Sequence, residues 1–447
     1  MLDRPNVSRQ LAQFVADTRR EDIPHAVMHQ AKRSVMNFFA VALAGCRTPP
    51  VDAALATLAP FSGGKQATLV GRRERIDVLT AAFLNAAGAN VYDFCDTHTP
   101  TVIHPTAPVV PPLLALSEMR HVSGPDLLFA TVLGNEIELR VGLAVSPQHY
   151  SLGWHITSTC GVFGAAAATG KLIGLDAQRI LWAFGSAATQ SSGLCENLGT
   201  ASKSASVGNA ARNGLLSALL AENGFDGPEE PLAGVQGLYN AMGVPPDLSF
   251  LTDGWGDSWH IMETSYKPYP CGFVINPVLD CVLDWQRDNR GADVTKVVVR
   301  GNPLLAARTD RPDVTSGRLS QVSVQHAVAV ALVRGKAGPE EFSDEAVADP
   351  KVSALRGKIE VVRDPSFATI AAAVDIVTAD GKVHHLSTQA ARGSEVNPLS
   401  DDALETKLRN AATAWNAKHD IEPLVEAIWA LDKNPDVAGL CALAVPK

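Results

Sequence analysis

Apolar residues recur at helical spacing through roughly the first 260 positions, then alternate every second residue in several short runs beyond Tyr266. Over 24–44, Val27, Ala31, Val35, Phe38, Phe39 and Ala42 share one helical face. Pro24 suits a first turn and Gly45 a stop. Further helices are predicted over 77–90, 107–119, Gly124 to about Val145, 157–173, 177–191 and 206–222, and their many Ala and Gly residues predict close helix packing. After Tyr266, strands are predicted at 296–300, 358–362 and 373–377, with Asp380-Gly381 as a hairpin turn and helices near 276–287 and 322–333. Helical spacing returns over 401–418 and 421–431, in a tail expected to pack onto the first domain. The pattern predicts a mostly α fold with an α+β second domain. Residues 1–265 and 399–447 would form an all-helical domain and 266–398 an α+β lid domain.

The 447 residues exceed one ordinary hydrophobic core, which fits two domains. Net charge is -9 and no long Lys/Arg run occurs, so nucleic acid is not an expected partner. Local cations can still capture an anion on an acidic protein. The seven cysteines are odd in number and include no C-x-x-C pair, which points away from a disulfide framework or structural zinc. The most apolar stretch, 161–175, is too short for a bilayer and contains Lys171. A soluble, cytoplasmic protein is expected.

Polar signatures interrupt this background. Asp93, Asp96, Thr97, His98 and His104 fall within twelve residues broken by Pro100 and Pro105, a composition that predicts an irregular loop. It reads as a capped turn with solvated histidines or as a pocket wall. Asp and His also ligate metals, but the tetrahedral spacings of structural zinc are absent and no metal is expected. His155, after Gly153-Trp154, is expected at a helix N-terminus, which favours a neutral imidazole. Lys203 lies among small hydroxyl residues in a poor helix and a poor strand, and reads either as an exposed loop lysine or as an anion contact. Lys267 is framed by Tyr266, Pro268, Tyr269 and Pro270. Between Gly164 and Lys171 a phosphate loop is spoiled by its spacing and by Leu172, and neither a dinucleotide fingerprint nor a nucleophile elbow occurs. Cys95, Cys195 and Cys271 read as inert thiols.

These signatures, with Gly208-Asn209-Ala210-Ala211, Lys267-Pro268-Tyr269-Pro270-Cys271 and Ser323-Val324-Gln325-His326-Ala327, resemble the MmgE/PrpD family over nearly the whole chain. That family includes 2-methylcitrate dehydratase, cis-aconitate decarboxylase and iminodisuccinate epimerase. The resemblance implies a helical domain, a smaller α+β lid, an active site in the cleft between them, a homodimer, and no metal or organic cofactor. Carried over by position, Asp93, Thr97, His104, His155 and Lys203 match pocket residues of the helical domain, and Lys267 matches the lysine entering the lid. His326 stands where decarboxylase-like members carry tyrosine. Gly272 stands where those members carry a histidine and near where dehydratase-like members carry an acid. Either His326 takes over that role or the reaction differs from both.

The chemistry common to these activities is proton transfer at a carbon beside a carboxylate, with cations in place for the anionic intermediate. His104 and His155 are the expected acid/base pair. Lys203 and Lys267 would hold carboxylates, Asp93 would orient an imidazole, and Thr97 would bond a carboxylate oxygen. The leading expectation is a cofactor-free dehydratase or hydratase of a 2-methylcitrate-like di- or tricarboxylate. The alternatives are a dicarboxylate epimerase or racemase and a cis-aconitate-type decarboxylase. A non-catalytic binding protein would have no need to keep Asp93, His104, His155 and Lys203 together.

Overall fold

Small side chains on the predicted helices let their backbones approach closely. In the computed structural model, which describes residues 6–446, long helices form over His25–Gly45, Val78–Asn90, Thr106–Ser117, Gly124–Leu143, Ile156–Leu172, Ala177–Gln190 and Ala201–Glu222. The helix pairs at the centre of this packing are Ile156–Leu172 with Ala201–Glu222 and Ile156–Leu172 with Gly124–Leu143. Gly214 shows why small residues are needed, since a Cβ there would stand 2.7 Å from the Val162 carbonyl oxygen.

The helix carrying Lys203 starts at Ala201 rather than at 206. Its buried face of Val207, Ala210, Ala211, Gly214, Leu215 and Ala218 packs against neighbouring helices and outweighs the weak propensity of the serines. Ser206 Oγ donates to the Lys203 carbonyl at 2.8 Å, which keeps its hydroxyl from competing for non-helical conformations.

The chain divides into two units. The first comprises residues 1–91, 95–264 and 401–447, and the second comprises Tyr92–Phe94 and Ser265–Ser400. In the first unit the tail helix Asp401–Asn416 lies on His25–Gly45, where buried Lys407 donates to Asn37 Oδ1 at 2.7 Å and Arg33 pairs with Asp401. No helix among the described residues is long and apolar enough to cross a membrane.

The second unit contains a four-stranded sheet in the spatial order Ile359–Arg363, Val294–Gly301, Ala372–Thr378, Val383–Thr388. The first pair is parallel and the other two are antiparallel, with Val297 opposite Ile359 on one side and Ile376 on the other. Ala372–Thr378 alternates buried and half-buried residues, and its inner side chains meet the helices Asn276–Asp288 and Val324–Arg334 in one core. Asp380-Gly381 makes the expected turn, with Gly381 at φ +82. Mostly helical architecture with a small mixed sheet in the C-terminal part is the predicted fold class.

Candidate active site

Three separate elements of the first unit are tied together around His104, His155 and Lys203. The segment after Val78–Asn90 is not a solvated loop. Asp96–His98 forms a short buried strand, and the chain then turns back so that the His98 N–H donates to the Ile103 carbonyl at 2.8 Å. His104 follows immediately, buried at 8% exposure, and its N–H donates to Thr157 Oγ1 at 3.1 Å. Thr157 belongs to the first turn of Ile156–Leu172, whose N-cap is His155. From the other side, His155 reaches the Lys203 helix through two serine hydroxyls. One turn further along that helix, Val207 packs with Ala107 and Cys95.

The hydrogen bonds fix where each imidazole carries its proton. His104 Nδ1 lies 2.8 Å from the Asp96 carbonyl oxygen, which can only accept. Nδ1 therefore carries a hydrogen, and in the neutral ring the lone pair sits on Nε2. Thr97 Oγ1 is 3.1 Å from the same Nδ1, so Thr97 bonds the histidine directly. For His155 the constraint passes along a chain. Ser206 Oγ donates to the Lys203 carbonyl at 2.8 Å, and Ser158 Oγ lies 2.7 Å from Ser206 Oγ. With the Ser206 hydrogen committed, Ser158 donates to Ser206 and accepts from His155 Nδ1, 2.8 Å away. In the neutral ring the His155 lone pair is thereby also on Nε2. Gly193 permits this arrangement. It stands at φ +139, its carbonyl accepts from the His155 N–H at 3.0 Å, and a Cβ there would come within 2.8 Å of Ser158 Cβ.

Lys203 is buried at 4% exposure, which overturns the exposed-loop reading. Asp96 lies beneath this centre, fully buried, and accepts from the Thr106 backbone N–H and hydroxyl. Burial pushes its carboxyl up to about 6. Glu138, fully buried near Asp96 in the helix Gly124–Leu143, is raised well above the ordinary carboxylate range by burial and then by Asp96.

Asp93, which the resemblance assigned to the helical domain, belongs to the second unit together with Lys267. Lys267 is buried, and its Nζ donates to both the Asp93 backbone oxygen and Oδ2 at 3.0 Å. Asp93 adopts φ +53, a left-handed conformation that Asp tolerates better than most residues. Asp93 therefore pairs with a lysine of the same unit. Arg318 is half-buried and faces Asp93 and Tyr92 electrostatically. No pattern in its surroundings marks it out in the sequence. Nor could spacing reveal Ser206, because its bond to Ser158 bridges two helices.

His326 lies in the core of the second unit. Its Nε2 donates to the Glu341 carbonyl at 2.8 Å, its ring packs against Phe342, and burial lowers its pKa to about 4. Gly272 has an ordinary φ of -52, and the nearest atom a Cβ would meet is Thr309 Cγ2 at 3.7 Å. Neither backbone strain nor crowding requires glycine there. Cys95 Sγ donates to the Ala89 carbonyl at 3.0 Å, and burial raises the Cys271 thiol, which agrees with inert thiols.

Residues 9–251 match the MmgE/PrpD N-terminal domain and residues 269–432 the MmgE/PrpD C-terminal domain. Cis-aconitate decarboxylase from Aspergillus terreus is 25% identical over 473 residues, covering 98% of this chain and 96% of that protein. The Homo sapiens cis-aconitate decarboxylase is 26% identical over 438 residues, covering 93% and 90%. A 2-methylcitrate dehydratase from Cupriavidus necator is 29% identical over 102 residues, 21% of each chain. Matches to both domain models, in order and over most of the sequence, establish that this chain belongs to the MmgE/PrpD family.

Proposed function

We propose that this chain is a lyase of a di- or tricarboxylate whose proton transfers are carried by its own side chains. The leading reaction is dehydration, or the reverse hydration, of a 2-methylcitrate-like hydroxy acid. The observation that carries this reading is the pair of buried histidines, each held with a hydrogen on Nδ1 so that Nε2 is the nitrogen that takes or gives a proton, tied to the turn bearing buried Lys203. One imidazole Nε2 removes the proton from the carbon beside a carboxylate. The electron pair left on that carbon forms the alkene as the hydroxyl departs, and the second imidazole, entering protonated, delivers the hydrogen that makes it water. Lys203 stabilises the negative charge that develops on the carboxylate. In the second unit Lys267, paired with Asp93, is the candidate carboxylate contact.

Decarboxylation of a cis-aconitate-like acid is the second reading, favoured by relatives of that name that align over nearly the whole chain. Gly272 weighs against it, because no side chain there can exchange a proton. The two readings separate when the purified protein is given 2-methylcitrate, citrate, cis-aconitate and iminodisuccinate in deuterated buffer and followed by proton NMR. Loss of water from a hydroxy acid with a new alkene signal supports dehydration. Carbon dioxide release from cis-aconitate replaces it with the second reading, and deuterium uptake without an alkene points to epimerisation. Silence with all four substrates would overturn both.

A further inference from the structure

We propose that His98, His260 and Glu263, all in the first unit, form a binding site for one divalent transition-metal ion of the zinc class. Their ligand atoms all lie within 4.8 Å of one another. His98 Nε2 stands 3.1 Å from Glu263 Oε2, and His260 Nδ1 stands 3.5 Å from Glu263 Oε1. Two ligands bound to one zinc ion at its usual bond lengths sit about 3.0 to 3.4 Å apart. The first separation falls in that range and the second, to the other carboxylate oxygen, lies just beyond it. The His260 Nδ1 atom is buried and makes no hydrogen bond among the described residues.

The surroundings are built as metal sites require. His98 is fully buried, and its other nitrogen, Nδ1, is held 2.8 Å from Thr101 Oγ1, which fixes the ring. The backbone N–H of His260 donates to Glu136 Oε2 at 2.8 Å. The other Glu136 oxygen accepts from Arg140 Nε at 2.7 Å, so that acid is committed to its arginine and does not compete for the ion. Glu263 is 44% exposed and His260 15%, which gives an ion a path from solvent and leaves a coordination position for water. Two histidines and one carboxylate suit zinc and its first-row neighbours better than magnesium or calcium. His98 lies far along the chain from His260 and Glu263, whose three-residue spacing alone does not mark a site.

The ion would clasp the turn between His98 and His104. That turn is closed by the His98 N–H to Ile103 carbonyl bond, and the ion would add a tie from its first residue to the single turn His260–Glu263. The role assigned is positioning, and no reaction step passes through the metal.

The test uses the full chain without an affinity tag, stripped with chelator and dialysed against Co²⁺ and, separately, Zn²⁺. One ion per chain is expected, with the visible absorption of four-coordinate Co²⁺ and a metal-dependent rise in Tm. Glu263→Gln and His260→Ala should each weaken Co²⁺ binding by roughly a hundredfold or more. Both positions reach solvent, so metal-free variants that keep the wild-type circular dichroism separate a lost ligand from a lost fold. Binding that does not saturate at one ion, or affinity unchanged in both variants, overturns the proposal. Because the readout is binding, its failure leaves the dehydration reading standing, and failure of that reading leaves the metal site standing.

Discussion

The two units hold their candidate residues by different means. In the first, His104 and His155 are set by neutral hydrogen bonds that end on the backbone carbonyls of Asp96 and Lys203. In the second, Lys267 is set by a charge pair with Asp93, whose own backbone is in a left-handed conformation. Carbonyl anchors are fixed by the surrounding main chain and do not titrate. A buried charge pair is strong while both partners are present and costly once one is removed. Substitutions in the first unit should therefore read mainly as lost chemistry, and those in the second as lost chemistry mixed with lost stability.

The largest effect should come from Lys203→Met, which preserves much of the bulk and removes the charge. We expect kcat/KM to fall on the order of 10³-fold, as when a preorganised electrostatic contact is lost, with little change in Tm. Near-normal turnover would remove Lys203 from the mechanism. Asp93→Ala should lower activity by about 10²-fold and also destabilise the protein by up to about 3 kcal/mol, since it removes the carboxylate of the Lys267 charge pair and leaves the Lys267 bond to the Asp93 carbonyl. Chemical unfolding beside steady-state kinetics measures both, and a stable but inactive variant would erase the contrast between the units. Ser206→Ala cuts the chain from His155 to the Lys203 carbonyl and should reduce kcat about tenfold with KM nearly unchanged. A flatter or shifted pH–rate profile should accompany it, which a purely structural loss would not produce.

The effect that leaves catalysis aside is on stability as a function of pH, and it runs in opposite directions at two buried groups. Asp96 is held up to about 6. Below the ordinary aspartate range it is protonated in both states. As pH rises through 6 the unfolded chain ionises more readily, and up to about 3 kcal/mol of stability is lost. His326 is held down to about 4. It is neutral in both states above the ordinary histidine range, and up to about 3 kcal/mol is lost as pH falls toward 4. Relative to wild type, Asp96→Asn should gain stability as pH rises, while the deficit of His326→Gln should shrink as pH falls. Unfolding curves at several pH values check both, and variant curves running parallel to wild type would refute the assignment.

Helical spacing made most of the first unit legible in the sequence, because a helix that buries one face must repeat its apolar residues. The start of the Lys203 helix was hidden, since serines suit loops and helix starts equally and only tertiary packing decides. His155 at a helix N-terminus was readable from Gly153-Trp154 and the small-residue run that follows. The link through Ser158 to Ser206 was not, because it exists only once two helices are side by side. Asp93 lies one residue from Tyr92 and Phe94 in a three-residue excursion into the second unit, which no periodicity could signal. His326 was picked out by resemblance, yet Val324, Ala327, Val328 and Ala331 surround it with an apolar helical pattern that agrees with its place in the core.

Gly272 carries a consequence for how such a protein could change. A Cβ there meets nothing closer than 3.7 Å and the backbone is unstrained, so acquiring a side chain has little steric cost to overcome. Every glycine codon becomes an acidic one by a single change at its second base, whereas histidine lies at least two changes away. The genetic code thus places an acid at this position nearer than an imidazole, and mutational access alone would steer descendants of this chain toward one chemistry before the other.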